Sequence, residues 1–91
     1  MANYRLMYSD KAENDIKIFK KAGDKTALKK ISALLKEIAE HPRTGTGKPE
    51  FLKHKKYWSR RINKEHRLCY EIEDDKVIVL VLSTYGHYEE N

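Results

Sequence analysis

Arg61, Arg67, Tyr85, His87 and Tyr88 are the residues whose chemistry stands out in this sequence, because together they suit a phosphodiester. Arginine grips phosphate oxygens with paired N–H donors, and tyrosine offers a plane on which a base stacks. Strand alternation would place them. In 67–72, Leu68, Tyr70 and Ile72 share one face while Arg67, Cys69 and Glu71 share the other. With the apolar set turned to a core, Arg67 points to an open face. Arg61 joins it from the partner strand, and the end of the last strand delivers Tyr85, His87 and Tyr88. The charge distribution agrees. Arg43 to Arg67 holds 9 Lys/Arg against 2 Asp/Glu, whereas Leu68 to Asn91 holds 1 against 6. A basic middle stretch of this kind attracts polyanions. Residue chemistry alone therefore reaches a basic domain suited to RNA. Taken singly, Glu50 in a loop and His87 near a terminus read as solvated surface residues.

Other chemistries find little support. His41, His54, His66 and His87 are scattered without ligand spacing, and Cys69 has no second cysteine beside it, so no metal site is expected. Phosphate-cradling and dinucleotide-binding glycine motifs are absent, and no cofactor is expected. Cys69 lies among apolar strand residues and reads as a small buried hydrophobe, not a nucleophile. Trp58, Tyr70 and Tyr4 read as packing residues, and His54 and His66 as structural or solvated ones. No apolar run approaches the roughly 20 residues of a membrane span, and Met1 to Tyr8 lacks the build of a signal peptide. One cysteine fits a reducing compartment. These features point to a cytoplasmic protein with no membrane association.

The elements that must position these residues follow from periodicity. The 91 residues are expected to form one domain, 1–91. Asn3 to Tyr8 reads as a strand with Tyr4, Leu6 and Tyr8 on one side. Asp10, with Glu13 three residues on, reads as the start of a helix that carries Ala12, Ile16 and Phe19 and stops at Gly23. Asp24 caps a second helix whose Leu28, Ile31, Leu34, Leu35 and Ile38 form one stripe and which Pro42 ends. Arg43 to Lys48 is a loop. Tyr57–Ile62 and Arg67–Ile72 alternate as strands joined by a turn at 63–65, and Val77–Leu82 is apolar throughout, as a strand covered on both sides would be. The order β-α-α-β-β-β implies an α+β fold: a mostly antiparallel sheet packed on a two-helix hairpin.

The motifs Gly47-Lys48-Pro49-Glu50-Phe51-Leu52-Lys53-His54, Trp58-Ser59-Arg60-Arg61-Ile62 and Glu65-His66-Arg67-Leu68-Cys69-Tyr70, with the terminal Gly86-His87-Tyr88, resemble the signature of the YoeB/Txe toxins of type II toxin–antitoxin systems. Their RelE-type fold has the element order read above. The resemblance implies a ribosome-dependent mRNA interferase that needs no metal. Glu50 would be its general base, Arg67 the cation on the phosphate, His87 the general acid, and Tyr88 the residue that orients the substrate. Lys53, Arg61, Lys48 and Arg60 would be basic residues contacting RNA or supporting the site. The implied partners are mRNA on the ribosome, a cognate antitoxin of the YefM/Axe type and a second copy of the chain. The alternative is a non-catalytic RNA- or ribosome-binding module on the same scaffold. Two departures from the family pattern stand out: only Lys55, Lys56 and Tyr57 separate His54 from Trp58, and Glu89-Glu90-Asn91 follow the tyrosine.

Overall fold

A computed structural model describes residues 3–86. The elements run β1 (Arg5–Tyr8), α1 (Asp10–Lys21), α2 (Lys25–Glu40), β2 (Glu50–Leu52), β3 (Tyr57–Arg61), β4 (Arg67–Glu73), a 3₁₀ turn (Asp74–Lys76) and β5 (Ile78–Ser83). The fold is α+β, with one strand more than periodicity shows: β2 has only three residues, too few to display an alternation. The sheet order is β1-β5-β4-β3-β2. β1 and β5 are parallel, and every other neighbouring pair is antiparallel.

Each helix begins where a side chain satisfies a backbone amide. Ser9, not Asp10, caps α1. Its Oγ accepts from the Ala12 amide at 3.0 Å and donates to the Leu82 carbonyl at 2.8 Å, tying the helix start to β5. Asp10 and Glu13 lie in the first turn and Lys20 and Lys21 in the last, signs that suit the helix dipole. Asp24 caps α2 as the sequence indicates, accepting from the Ala27 amide at 3.1 Å. In α2, Ala27, Ile31, Leu34 and Ile38 are buried at helical spacing. In α1 the buried positions are Ala12, Asp15 and Phe19, so an aspartate holds a place in the apolar stripe next to the half-buried Ile16.

The buried side chains of both helices form one cluster with Ile62, Leu68, Tyr70, Val79 and Val81 of the sheet, and Tyr4, Leu6, Trp58 and Ile72 pack at its edge. Leu68, Tyr70 and Ile72 thus face the helices, as alternation requires. β5 lies inside the sheet, but it is not covered equally on both sides. Val79 and Val81 are fully buried, while Ile78, Leu80 and Leu82 are only half-buried.

Alternation also divides the adjacent arginines of β3. Trp58, Arg60 and Ile62 point toward the helices; Tyr57, Ser59 and Arg61 point away. Arg60 is completely buried, so the expectation that it contacts RNA is corrected here: its donors are consumed inside the protein. Nε donates to Tyr70 Oη at 3.0 Å. Nη1 donates to Glu37 Oε1 at 2.6 Å and the Thr46 carbonyl at 3.2 Å. Nη2 donates to the carbonyls of His41 at 2.7 Å and Thr44 at 2.8 Å. Tyr70 Oη in turn donates to the Pro42 carbonyl at 2.7 Å. A buried guanidinium is tolerable only when its donors are met, and here the loop after α2 folds around it to meet them. Gly45 has φ 125°, and a side chain there would collide with the Glu37 carboxylate.

Glu37 also accepts from the Thr46 amide at 2.6 Å and the Thr46 hydroxyl at 3.1 Å. These bonds, the amide foremost, with Arg60 beside them, hold its carboxyl below the usual carboxylate range. Arg60→Met should lower the unfolding free energy by about 3 kcal/mol, the low end for breaking a buried pair because Glu37 keeps partial access to water; urea denaturation measures this. A depressed carboxylate stabilises the fold fully above its unfolded pKa, about 4.3, and loses that contribution as pH falls through the lower folded value. Glu37→Gln should therefore be less stable at neutral pH and show a flatter decline than wild type below about pH 5.

Candidate functional site

The register of the sheet sets out the face turned away from the helices. Glu50 of β2 lies opposite Ser59, Ser59 opposite Cys69, and Cys69 opposite Ser83. Residues directly opposite on adjacent strands project to the same side, so these four form one row across the sheet. Arg61 and Arg67, opposite one another on β3 and β4, form the next row. Glu50 and Arg67 therefore share a face, two strands apart: roughly 10 Å across the sheet and about 7 Å along it. Both side chains are long enough to approach a common group on this face.

Glu50 and Arg61 are exposed and Arg67 is half-buried. Lys48 and Lys53 are exposed on opposite sides of Glu50. Lys48 lies toward the arginine row, because the Arg61 amide donates to the Gly47 carbonyl at 2.7 Å just before it. Lys53 stands in the tight turn after β2, where the Lys55 and Lys56 amides both donate to the Leu52 carbonyl. This turn makes up the short connection noted in the sequence. Lys48 has φ 53°, a left-handed conformation that a residue with a side chain holds only when its surroundings fix it. The anchored loop on one side and Pro49 on the other supply that constraint, and the chain emerges from it at Glu50.

The rest of this face is quiet chemistry. Cys69 is buried, and burial raises its thiol pKa, so it is no nucleophile at neutral pH. Burial likewise raises the Tyr57 hydroxyl. Among the described residues, no group of three or more His, Cys, Asp and Glu side chains could hold a metal ion.

The chain after β5 is held against the arginine row. The Arg67 amide donates to the Gly86 carbonyl at 3.0 Å. The Gly86 amide donates to His66 Nδ1 at 2.9 Å. Asp15 Oδ2 accepts from the amides of Thr84 at 3.0 Å and Tyr85 at 3.3 Å, while Lys11 donates to the same carboxylate at 3.0 Å. The His66 ring meets Phe19 edge-on at 5.1 Å and lies against Tyr85 at 4.3 Å. His87 and Tyr88 lie outside the described residues. Asp15 and His66 were not among the sequence-derived site residues. The one signal for Asp15 was its place in the apolar stripe of α1; its partners are 69 and 70 residues away in the chain.

A mixed five-stranded sheet with a helical hairpin packed on one face defines an α+β fold of the RelE-like kind. A chain of the intact E. coli RelBE toxin–antitoxin complex superposes on it with a TM-score of 0.67 at 21% identity. The family itself is given by closer matches. Residues 8–88 match the model of the YoeB-like toxin of bacterial type II toxin–antitoxin systems. Toxin YoeB of Escherichia coli K12 is 40% identical over 77 residues, covering 82% of this chain and 90% of that protein. Toxin YoeB of Synechocystis is 52% identical over 68 residues, covering 72% and 77%. The YoeB dimer from Staphylococcus aureus superposes with a TM-score of 0.82 at 41% identity, covering 96% of this chain and all of the other. The chain belongs to the YoeB family and is the toxin component of a type II toxin–antitoxin system.

Asp15→Ala should leave the Thr84 and Tyr85 amides without their acceptor and lower stability by about 1–3 kcal/mol. Hydrogen exchange should show faster exchange at those two amides and at Gly86, with the protection of α2 retained.

Proposed function

We propose that this toxin is a ribosome-dependent, metal-independent endoribonuclease that cuts mRNA by 2′-hydroxyl attack on the adjacent phosphate. The observation that carries the reading is the joint placement of Glu50 and Arg67 on the open face, with the Arg67 backbone bonded to Gly86, the residue before His87. Glu50 takes the proton of the 2′-hydroxyl. The 2′-oxygen bonds to phosphorus, and the growing charge on the non-bridging oxygens is met by Arg67, with Arg61 beside it. The bond from phosphorus to the 5′-oxygen breaks, and His87 gives that oxygen a proton. The products are a 2′,3′-cyclic phosphate and a 5′-hydroxyl, so the proton taken by Glu50 is balanced by the one His87 gives. Tyr88 stacks on a base, and Lys48 and Lys53 hold flanking phosphates. The open face is broad and holds the RNA loosely, so alignment of the 2′-oxygen opposite the leaving group comes from the ribosome, which presents the message in a fixed path.

The relatives also suggest the partners. The Staphylococcus aureus protein is known as a dimer and as a heterotetrameric YoeB–YefM toxin–antitoxin complex, the latter superposing with a TM-score of 0.79. By likeness, this chain pairs with a YefM-type antitoxin and self-associates. Its exposed apolar side chains, among them Met7, Ile18 and Phe51, offer surface for such contacts.

Primer extension on a defined mRNA, with purified protein and programmed ribosomes, tests the reading. Wild type should give discrete cuts that require ribosomes. Glu50→Gln should slow them by about 10²–10⁴, and Arg67→Ala by about 10²–10³. Lys48→Ala and Lys53→Ala should have smaller effects that shrink as salt is raised, because each variant has one phosphate contact fewer to screen. No cuts by wild type in either condition would leave a binding module and dismiss the enzyme.

A further inference from the structure

The three residues that lead from β5 to the chain end are held by side chains from elsewhere in the fold. β5 ends at Ser83. Beyond it, Asp15 accepts from the Thr84 and Tyr85 amides and His66 from the Gly86 amide. Three consecutive amides are thus captured by two side chains, one from α1 and one from the β3–β4 turn. Chain ends past a last strand ordinarily fray, and a buried aspartate at 4% exposure in a helix's apolar stripe is an unfavourable placement unless its bonds are needed.

His66 is itself fixed. Its amide donates to Asn63 Oδ1 at 2.8 Å, and its carbonyl accepts from the amides of Ile62 and Asn63. Its ring forms a three-way cluster with those of Phe19 and Tyr85, which also touch each other. Because Nδ1 accepts from Gly86, the ring proton is on Nε2. Gly86 has φ 94°, so a glycine turns the chain at this point. Its carbonyl is bonded to the amide of Arg67, the residue after His66. Arg67 and Gly86, the residue before the His-Tyr pair, are therefore tied to one another through the backbone.

We infer that His66, supported by Asp15, is a positioning residue for the general acid: it fixes Gly86, the residue to which His87 is joined in the chain. This rests on the assignment of His87 as general acid. Proton donation needs heavy atoms within roughly 2.6–3.2 Å, and a displacement of about 1 Å can lower a rate by about 10². His66 touches no reacting atom, and the inference requires its effect to pass through the proton-transfer step and not through the neighbouring Arg67.

That restriction gives the test. Single-turnover cleavage on programmed ribosomes is measured with an ordinary mRNA and with one in which sulfur replaces the 5′-oxygen at the scissile position. A thiolate leaves without being protonated, so the sulfur substrate does not need the acid. His66→Ala should be about 10–100-fold slower than wild type on the oxygen substrate and close to wild type on sulfur. His66→Asn, whose Oδ1 takes the place of Nδ1 as acceptor for Gly86, should recover most of the rate lost in His66→Ala. An equal loss on both substrates, or no recovery in His66→Asn, would make His66 merely structural and overturn the inference. So would a His66→Ala variant as fast as wild type on oxygen. His87→Ala runs beside them. If sulfur fails to rescue it, the general-acid assignment falls, and the inference falls with it. Rescue of His87→Ala without rescue of His66→Ala removes the inference alone.

Discussion

The guanidinium of Arg60 has five N–H donors, and in this fold each has an acceptor: a tyrosine hydroxyl, a carboxylate and three carbonyls. A charge without solvent exposure would be prohibitive without that complete set. The requirement runs outward from it. The carbonyls come from His41, Thr44 and Thr46, so the stretch between α2 and β2, which has no regular structure, must wrap around one side chain of β3. Glu37 anchors the same loop from α2, and Tyr70 joins it to β4 by passing its own hydrogen bond to Pro42. From this node the chain runs through Gly47, bonded to Arg61, and the left-handed Lys48 to Glu50. The location of the carboxylate on the open face is thus the far end of a constraint that begins in the core.

The two faces of the sheet divide the labour of its basic residues. Arg60 and Arg61 are neighbours in sequence with opposite environments, one fully buried and one exposed. The inward arginine shapes the loop; the outward one stands opposite Arg67 beside Glu50. A second anchoring set, Asp15 and His66, holds the other end of the arginine row where β5 runs out. The open face is therefore bounded by two segments without regular structure, each fixed by buried polar groups, and the rigid sheet lies between them. Small rigid scaffolds commonly carry their chemistry on loops held in this way.

Much of this was legible in the sequence. The stripe of α2, its Asp24 cap, the alternation of β4 and the burial of Cys69 followed from period and composition. The α1 cap was misplaced by one residue because the Asp10–Glu13 spacing mimics a capping box, whereas Ser9 also gains a bond to β5 that local sequence cannot reveal. Arg60 was grouped with the RNA-facing cations because of its charge, although the alternation of Trp58, Arg60 and Ile62 already placed it on the core side. β2 was too short to declare a period. Asp15 and His66 were opaque because their partners are backbone amides distant in the chain. For Glu50, Arg67, His87 and Tyr88, the roles came from the resemblance to a family and not from spacing.

The central claim is that the RNA supplies its own nucleophile while the protein moves protons and stabilises charge. The most direct measurement uses an mRNA with a single 2′-deoxynucleotide at the position normally cut, programmed into ribosomes and incubated with wild-type protein. The expected result is loss of cleavage at that site with cuts elsewhere retained, and, at each cut in the unmodified message, a 2′,3′-cyclic phosphate on the upstream fragment and a 5′-hydroxyl on the downstream one. Cleavage that persists at the deoxy position would contradict the account, because the nucleophile would then have to be water or a protein side chain.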